Sequence, residues 1–146
     1  MTEVHDSPTS WVNEHIQQYV QSDGAEGHYR NGVSYLLLTT KGRKTGKLRR
    51  TALIYGRQGS SYLVVASQGG APNHPAWYLN LAANPEVQVQ VGSDKFTARA
   101  RTATEQEKPE LWRRMAEIWP DYNSYQINTD RQIPIVVLDR SEQETS

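Results

Sequence analysis

The sequence predicts an α+β fold, mainly antiparallel β, in which about six strands curl into a barrel that helices plug or flank. Runs of β-branched and apolar residues recur along the 146-residue chain, and their length is typical of strands. Short turns join several of these runs, which favours antiparallel neighbours. A barrel removes the exposed edges that an open sheet of this size would keep. A chain of this length fits one domain.

The individual elements follow from periodicity and turn residues. Apolar side chains from Trp11 to Val20 recur at a spacing near that of a helical turn, which predicts a helix over residues 7–22. Strands are predicted over residues 33–40, 48–55, 62–67, 87–91, 95–101 and 134–139, with turns at 41–46, 56–60 and 92–94. Further helices are predicted over residues 76–83, from the capping box of Thr104 and Glu107 to about Trp119, and, as a short helix or ordered loop, over 122–129.

Composition excludes several classes of protein. The chain has no cysteine, which rules out disulfides, a thiol nucleophile and cysteine-ligated metal sites and fits the expected cytoplasmic location. No apolar run reaches the roughly 20 residues of a transmembrane helix, and residues 1–10 lack the basic region of a signal peptide. The four histidines show no metal-ligand spacing, so no metal site is expected.

Charge is distributed unevenly although it balances overall. The chain has 16 basic and 16 acidic residues, yet residues 27–85 contain no Asp or Glu and eight Lys or Arg. Six of these eight lie in residues 41–50, beside two glycines that let backbone amides turn toward a ligand. Such a segment suits a phosphate or carboxylate, although the P-loop pattern is absent. A merely solvated hairpin tip is the alternative, and the lack of nearby acids favours the anion site.

Two other segments suit a flat ligand. Residues 66–78 form a loop of small residues between a strand and a helix, and Ser67 stands at the end of the strand. An ordinary strand-to-helix connection is the alternative. Three aromatic residues spaced by three line one side of a helical segment, either as a ligand wall or as a core stripe. They are Trp119, Tyr122 and Tyr125. Asn80 is polar within an apolar helix, so it reaches either a buried backbone group or a ligand.

Five stretches, taken in this order, resemble the deazaflavin (F420)-dependent nitroreductase and quinone reductase family. They are residues 39–50 (TTKGRKTGKLRR), 65–70 (VASQGG), 75–85 (PAWYLNLAANP), 122–131 and 133–136 (IPIV). The resemblance implies a split β-barrel like that of FMN-binding pyridoxamine-phosphate oxidases. It also implies coenzyme F420 (8-hydroxy-5-deazaflavin) in preference to FMN. The phosphate and glutamate tail of F420 is anionic, which suits the cationic span.

The resemblance also implies a role for individual residues. The phosphate and glutamates are expected at Lys41, Arg43, Lys44, Lys47 and Arg49. The ring is expected to border Ser67, Gln68, Gly69 and Gly70, with Trp77 and Asn80 completing the cofactor pocket. The acceptor is expected beside Ile54, Tyr55, Trp119, Tyr122 and Tyr125. Members that reduce bicyclic nitroimidazoles carry a tyrosine at or beside the position of Ile54. A one-residue shift on a strand points Tyr55 to the other face, so nitroimidazole reduction stays an open question.

The activity that the resemblance implies is a two-electron reduction. A hydride would pass from reduced F420 to a quinone, a nitroaromatic compound or an activated enone. Ser67 is expected to stabilise charge that develops on the acceptor. Tyr122 or Tyr125 is expected to donate a proton or to order the water that does. The second role is preferred, because a phenol with an ordinary pKa of about 10 is a slow acid at neutral pH.

The sequence leaves an alternative function open and predicts how the chain is divided into segments. The same barrel could carry a flavin-like or fatty ligand without turnover. Nucleic acid is not an expected partner, because the basic hairpin is accompanied by no reader motif. The predicted organisation is an N-terminal helix and linker at residues 1–30, a barrel domain at 31–140 and a flexible tail at 141–146. Monomer or homodimer, and peripheral membrane contact through the N-terminal helix, both stay open.

Overall fold

A computed structural model describes residues 4–6, 10–30 and 32–141. Its strands are β1 (Val4–Asp6), β2 (Tyr29–Arg30), β3 (Val33–Lys41), β4 (Leu48–Ile54), β5 (Gly56–Gln58), β6 (Ser61–Val65), β7 (Glu86–Val91), β8 (Asp94–Thr102) and β9 (Ile135–Arg140). Its helices are α1 (Ser10–Gln21), α2 (Ala76–Ala83), α3 (Lys108–Ile118) and α4 (Asp121–Ile127), and a single 3-10 turn spans Gln68–Gly70. The six longer predicted strands and the helices therefore form where the sequence places them.

The strands form one sheet in the order β1-β4-β3-β7-β8-β9-β6-β5, and β2 pairs with β3. Every pairing is antiparallel except that of β1 with β4, which is parallel. The predicted, mainly antiparallel barrel is thus confirmed. Among the described residues β4 and β6 are not hydrogen-bonded neighbours, so the barrel is open between these two strands.

Strand β3 is buried on both faces, which explains its continuous apolar sequence. Leu36 and Leu38 pack inside the barrel with residues of β6, β7, β8 and β9. Leu37 points the other way and packs against Ile16 and Tyr19 of α1. A further cluster joins α3 and α4 to the outer faces of β6 and β9. The barrel therefore has apolar layers inside and outside, and helices cover the outer ones.

Helix α1 is fixed to the barrel by a buried tyrosine. The Tyr19 hydroxyl donates to the Tyr35 carbonyl at 2.9 Å and accepts a bond from the Gly92 N–H at 2.7 Å. Burial raises the pKa of Tyr19 to about 12 because the charged phenolate loses its hydration. No helix among the described residues is long and apolar enough to cross a membrane.

One predicted turn is wrong, and three short strands were not predicted. Residues 56–58, predicted as part of a turn at 56–60, form β5 and pair with β6, so the reversal is confined to Gly59 and Ser60. Gly56 is buried beside α3, where a Cβ would lie 2.7 Å from the Met115 sulfur. The pairing therefore depends on contacts with a helix far along the chain. The other two unpredicted strands, β1 and β2, span only three and two residues.

The predicted division at residue 31 remains a prediction. The described residues before it supply α1, β1 and β2, and both of these strands pair with strands of the barrel. Residues 7–9 of the predicted N-terminal helix and residues 142–146 of the predicted tail lie outside the described residues.

Candidate functional site

A cavity of about 900 Å³ lies beside the opening between β4 and β6. It is lined by β4, the loop after β3, the end of β6, the start of α2 and the α3–α4 corner. The lining residues are Val12, Tyr35, Gly42, Arg43, Lys44, Thr45, Arg49, Arg50, Thr51, Ala52, Leu53, Ile54, Val65, Ser67, Gln68, Pro75, Ala76, Trp77, Asn80, Trp119, Tyr122 and Tyr125. Its size suits a cofactor-sized ligand, since such pockets measure roughly 300–1,000 Å³.

The cationic border of the cavity consists of Arg43, Lys44, Arg49 and Arg50, and none of the described lining residues is an Asp or Glu. Half of the eight basic residues in the acid-free span therefore converge on one site. Within the described part of the chain, no carboxylate forms an ion pair with Arg43, Lys44 or Arg49. No described carboxylate compensates the charges of these three side chains, so this border favours an anion.

Asn80 holds the cationic hairpin, residues 41–50, against α2. Its Oδ1 accepts from the Arg43 backbone N–H at 3.2 Å and from Arg43 Nη1 at 3.0 Å. Its Nδ2 donates to Thr40 Oγ1 at 3.3 Å, and the side chain is only 5% exposed. The sequence predicts that Asn80 reaches either a buried backbone group or a ligand, and the bond to a backbone group, the Arg43 N–H, is formed. It sets the direction in which Arg43 leaves the hairpin.

The Ser67 turn, residues 66–71, follows β6 and forms another wall. Ser67 is 8% exposed and faces the cavity, and its hydroxyl has no hydrogen-bond partner among the described residues. Gln68 lies in the left-handed region, with φ of 45°, a conformation unfavourable for a residue with a side chain. Gly70 has φ of 83°, and a Cβ there would lie 2.7 Å from the Tyr125 carbonyl oxygen. The turn is therefore packed directly against α4.

Arg131 holds the Ser67 turn from the side away from the cavity, and no role for this residue is predicted from the sequence. Its Nε donates to the Ala71 carbonyl at 2.8 Å, and its Nη2 donates to the Ser67 carbonyl at 2.7 Å. Its Nη1 reaches the Ala66 carbonyl at 3.2 Å and His74 Nδ1 at 2.9 Å. In the sequence, the signal for Arg131 is its position at the end of residues 122–131, one of the stretches that resemble the family.

The aromatic border, Trp119, Tyr122 and Tyr125, lines the cavity together, as their spacing predicts. The rings of Tyr122 and Tyr125 meet edge to face, with centroids 6.0 Å apart. Trp119 Nε1 donates to the Tyr125 hydroxyl at 3.4 Å. Burial raises the pKa of Tyr122 well above that of a free phenol, and the neighbouring Tyr125 and Tyr35 raise it further. Tyr122 is therefore neutral at physiological pH.

Several predicted site residues lie outside the cavity lining. Lys41 and Lys47 are exposed on the cationic hairpin, and Gly70 lies in the Ser67 turn without lining the cavity. Ile54 lines the cavity, whereas Tyr55 points to the other face, where its hydroxyl bonds His28 Nε2 at 2.9 Å. Strand alternation explains the difference between these two neighbours. The lining residues that sequence reasoning missed are mostly small or apolar side chains of β4 and the residues Val12 and Tyr35.

The chain is similar in sequence to a known protein family, to a curated relative and to a solved structure. The model of the F420H(2)-dependent quinone reductase family matches residues 11–140. An F420H(2)-dependent quinone reductase of Mycobacterium tuberculosis is 42% identical over 130 residues, covering 86% of this chain and 87% of that protein. The solved structure of an F420-H2 dependent reductase, FDR-A, is 40% identical with a TM-score of 0.67, covering 72% of this chain and 93% of that one.

Two other solved structures bear on assembly and fold. One described as a domain-swapped dimer is 37% identical with a TM-score of 0.71 and covers 91% of this chain and 100% of that one. A candidate pyridoxamine 5'-phosphate oxidase from Listeria innocua is 13% identical with a TM-score of 0.52, covering 74% of this chain and 84% of that one. The second likeness concerns the fold alone, and it confirms the predicted split-barrel class.

Proposed function

The chain belongs to the F420H(2)-dependent quinone reductase family, and from this premise we propose that its cavity binds reduced F420 beside a quinone, which it reduces. F420 supplies the hydride when bound, because the hydride chemistry belongs to the cofactor. The protein contributes binding, orientation and the exclusion of water.

One observation carries the proposal: a single cavity joins a cationic border, where no described carboxylate lies, to an aromatic border. Arg43, Lys44 and Arg49 lie on the first, and Trp119, Tyr122 and Tyr125 lie on the second. A ligand that is flat at one end and polyanionic at the other satisfies both. The anionic tail of F420 fits the cationic border, and its ring fits the remainder of a cavity of about 900 Å³.

The polar groups of the Ser67 turn are proposed to meet the reacting centre. The Ser67 hydroxyl is buried, faces the cavity and lacks a partner among the described residues, so it is free to donate to an oxygen that gains charge. Tyr122 is proposed to order water or the acceptor rather than to give up its proton, because its pKa is raised. Gln68, Trp77 and the Gly69–Gly70 backbone are proposed to border the ring.

The acceptor is proposed to be a planar, apolar quinone. Ile54 and Leu53 line the cavity with the aromatic border, which gives the acceptor an apolar surface on which to stack. Nitroaromatic compounds and activated enones share this flat shape and are proposed as further acceptors. Tyr55 points away from the cavity, so it is not available to a nitroimidazole.

Absorption spectroscopy tests the proposal directly. Purified protein is expected to oxidise reduced F420 when menadione is added, with return of the oxidised F420 absorption band, and NADPH is not expected to replace F420. A side-by-side titration is expected to rank F420 above FMN and FAD in affinity. Tighter binding of FMN, or no F420 oxidation with any of a panel of quinones, would overturn the assignment.

A non-catalytic carrier is the competing function. It predicts binding of F420 without turnover across quinones, nitroaromatic compounds and enones. The buried, unpartnered Ser67 hydroxyl favours turnover, since a carrier gains nothing from a donor placed at an acceptor. We also propose that the chain forms a homodimer, on the basis of the relative described as a domain-swapped dimer. Sedimentation or light scattering measures this separately from activity.

A further inference from the structure

We infer that Arg131 is a positioning residue, whose guanidinium fixes the Ser67 turn so that two backbone N–H groups face the cavity as donors for the carbonyl oxygens of the deazaflavin ring. The identity of the ligand rests on the proposed function. The hold on the turn rests on hydrogen bonds between described residues and does not depend on the ligand.

All three nitrogens of the guanidinium are used on this turn. They reach the carbonyls of Ala66, Ser67 and Ala71 at 3.2, 2.7 and 2.8 Å. Among the described residues Arg131 forms no ion pair with a carboxylate. Arg131 is partly buried, and withdrawing part of a guanidinium from water without a counter-charge is costly, so the bonds to the turn compensate for this partial burial.

The direction of these carbonyls sets the direction of the amides. The peptide bonds are trans, so in each planar unit the N–H points opposite to the C=O. Arg131 donates to the carbonyls of Ala66 and Ser67. The N–H groups of the same peptide units, those of Ser67 and Gln68, therefore point away from Arg131. Ser67 and Gln68 line the cavity and Arg131 does not. Neither N–H donates to another described residue, so both are available to a ligand.

Arg131 is itself held in place. Gln126 of α4 donates through Nε2 to the Arg131 carbonyl at 2.8 Å and accepts from the Ile133 N–H at 3.0 Å. His74 Nδ1 accepts from Arg131 Nη1 at 2.9 Å. Burial, and then the charge of Arg131, lower the pKa of His74, which keeps the ring neutral and able to accept. The support therefore runs from α4 through Arg131 to the turn.

The role matters for chemistry because fixed donors stabilise charge more than mobile ones do. A preorganised N–H aimed at an oxygen need not reorient as charge develops there. The Ser67 turn contains two glycines and one non-glycine residue, Gln68, in the left-handed region, so without a clamp it would sample other conformations. Arg131 converts this turn into a rigid pair of donors.

The test compares Arg131→Met and Arg131→Lys with the wild type, and uses Arg99→Met as a control. Arg99 is exposed on β8 and does not line the cavity. In the ligand-free protein, amide exchange at Gly70 and Ala71, whose N–H groups close the turn, is expected to quicken about 10-fold or more in Arg131→Met. Arg131→Lys is expected to quicken exchange less, because an ammonium group cannot reach three carbonyls in the planar geometry of a guanidinium. Arg99→Met is expected to leave it unchanged.

A spectroscopic measurement then separates positioning from affinity. At saturating F420, the absorption band of the bound cofactor is expected to move toward that of free F420 in both Arg131 variants. Lys44→Ala is expected to weaken binding without moving the band at saturation, because Lys44 lies on the cationic border. A merely structural role for Arg131 would change stability and leave the band in place.

The outcomes are distinct. Wild-type exchange at Gly70 and Ala71 in a folded Arg131→Met protein, or an unmoved band, would overturn the inference. If Arg131→Met fails to fold, the same two readings on Arg131→Lys decide. A third outcome combines faster exchange in Arg131→Met with no binding of F420 by the wild type. It would overturn the proposed function and the ligand part of this inference, and it would support the hold of Arg131 on the turn.

Discussion

Two walls of the same cavity are built in opposite ways. Most residues of the cationic hairpin are exposed, and the side-chain bonds that tie it to α2 are the pair from Arg43 to Asn80. The Ser67 turn is held by three bonds from Arg131 and by direct packing of Gly70 on the Tyr125 backbone. One wall supplies charge on long side chains, and the other supplies groups in fixed positions.

The difference indicates that the cationic hairpin acts mainly on affinity for the cofactor and that the Ser67 turn acts mainly on the chemical step. Charge acts over several ångströms and tolerates movement, so lysine and arginine side chains on a hairpin suffice to attract an anionic tail. Orientation of a reacting ring tolerates little movement, since a displacement of about 1 Å can cost about 100-fold in rate. Changes in the hairpin should therefore act on binding, and changes in the Ser67 turn should act on turnover.

Reversing charge on the cationic hairpin is expected to have the largest effect. In the double variant Lys44→Glu and Arg49→Glu, affinity for F420 should fall about 100-fold at low salt, because two attractive charges become repulsive. The loss should shrink at high salt, where the Debye length is only about 3 Å at 1 M. Fluorescence titration at two salt concentrations measures both effects.

A matched control keeps the same change in net charge. The control is the double variant Lys95→Glu and Arg99→Glu, whose two residues lie on β8 outside the cavity lining. Its affinity for F420 should stay within about 3-fold of the wild-type value. Equal losses in the two double variants would mean that overall charge, and not the cationic border, attracts the cofactor.

Gly70→Ala is expected to act on the other wall. The left-handed φ of 83° makes an alanine strained, and its Cβ would lie 2.7 Å from the Tyr125 carbonyl oxygen. The strain alone costs about 1–2 kcal/mol, and moving the turn off α4 should lower kcat about 10-fold with a smaller change in F420 affinity. Thermal unfolding and steady-state kinetics measure the two effects.

Gly59→Ala separates the clash from the strain. Gly59 has a similar positive φ of 59°, but a Cβ there meets nothing within 4 Å. This variant should lose stability and keep its turnover. If Gly59→Ala lowered kcat as much as Gly70→Ala, the fixed position of the Ser67 turn would not be the cause.

The two walls also differ in how far the sequence predicts them. The cationic hairpin is visible because its chemistry is carried by side chains clustered in ten residues. The exposed position of Lys41 and Lys47 could not be read from that cluster, because it depends on the hairpin geometry. The opposite faces of Ile54 and Tyr55 did follow from strand alternation.

Arg131 shows what the sequence alone does not reveal. Its partners are backbone carbonyls 60 or more positions away, and a carbonyl has no sequence signature. The short strands β1 and β5 were missed for the same reason, since each forms through pairing or packing with distant segments. Helix α2, by contrast, has the predicted bounds, because Pro75 and the Asn84–Pro85 pair mark its ends locally.

Asn80 links the two walls and should give an intermediate effect. Asn80→Ala removes the acceptor of both Arg43 bonds, so F420 affinity should fall about 5-fold as Arg43 loses its direction. Asn80→Asp keeps the acceptor and adds a negative charge beside the tail. It should therefore be the more stable variant of the two and yet bind F420 more weakly. The opposite order in affinity would mean that Asn80 contacts the cofactor directly through its amide.

The smallest effect is expected at Tyr122. Burial raises the pKa of Tyr122, so the phenol is neutral in the folded protein at every pH below its ordinary value of about 10. Tyr122→Phe should therefore change kcat by less than about 3-fold and leave the pH profile of kcat flat between about pH 6 and 9, since no proton is exchanged there.

The raised pKa of Tyr122 also affects stability at high pH. Above about pH 10 the phenol loses its proton in the unfolded chain before it does so in the folded protein. The free energy of unfolding of the wild type should therefore fall more than that of Tyr122→Phe. Tyr125→Phe, at a half-buried position beside Trp119, is the control for loss of a cavity hydroxyl. A fall in kcat of about 100-fold confined to Tyr122→Phe would make Tyr122 the proton donor, and the aromatic border would then take part in the chemistry alongside the Ser67 turn.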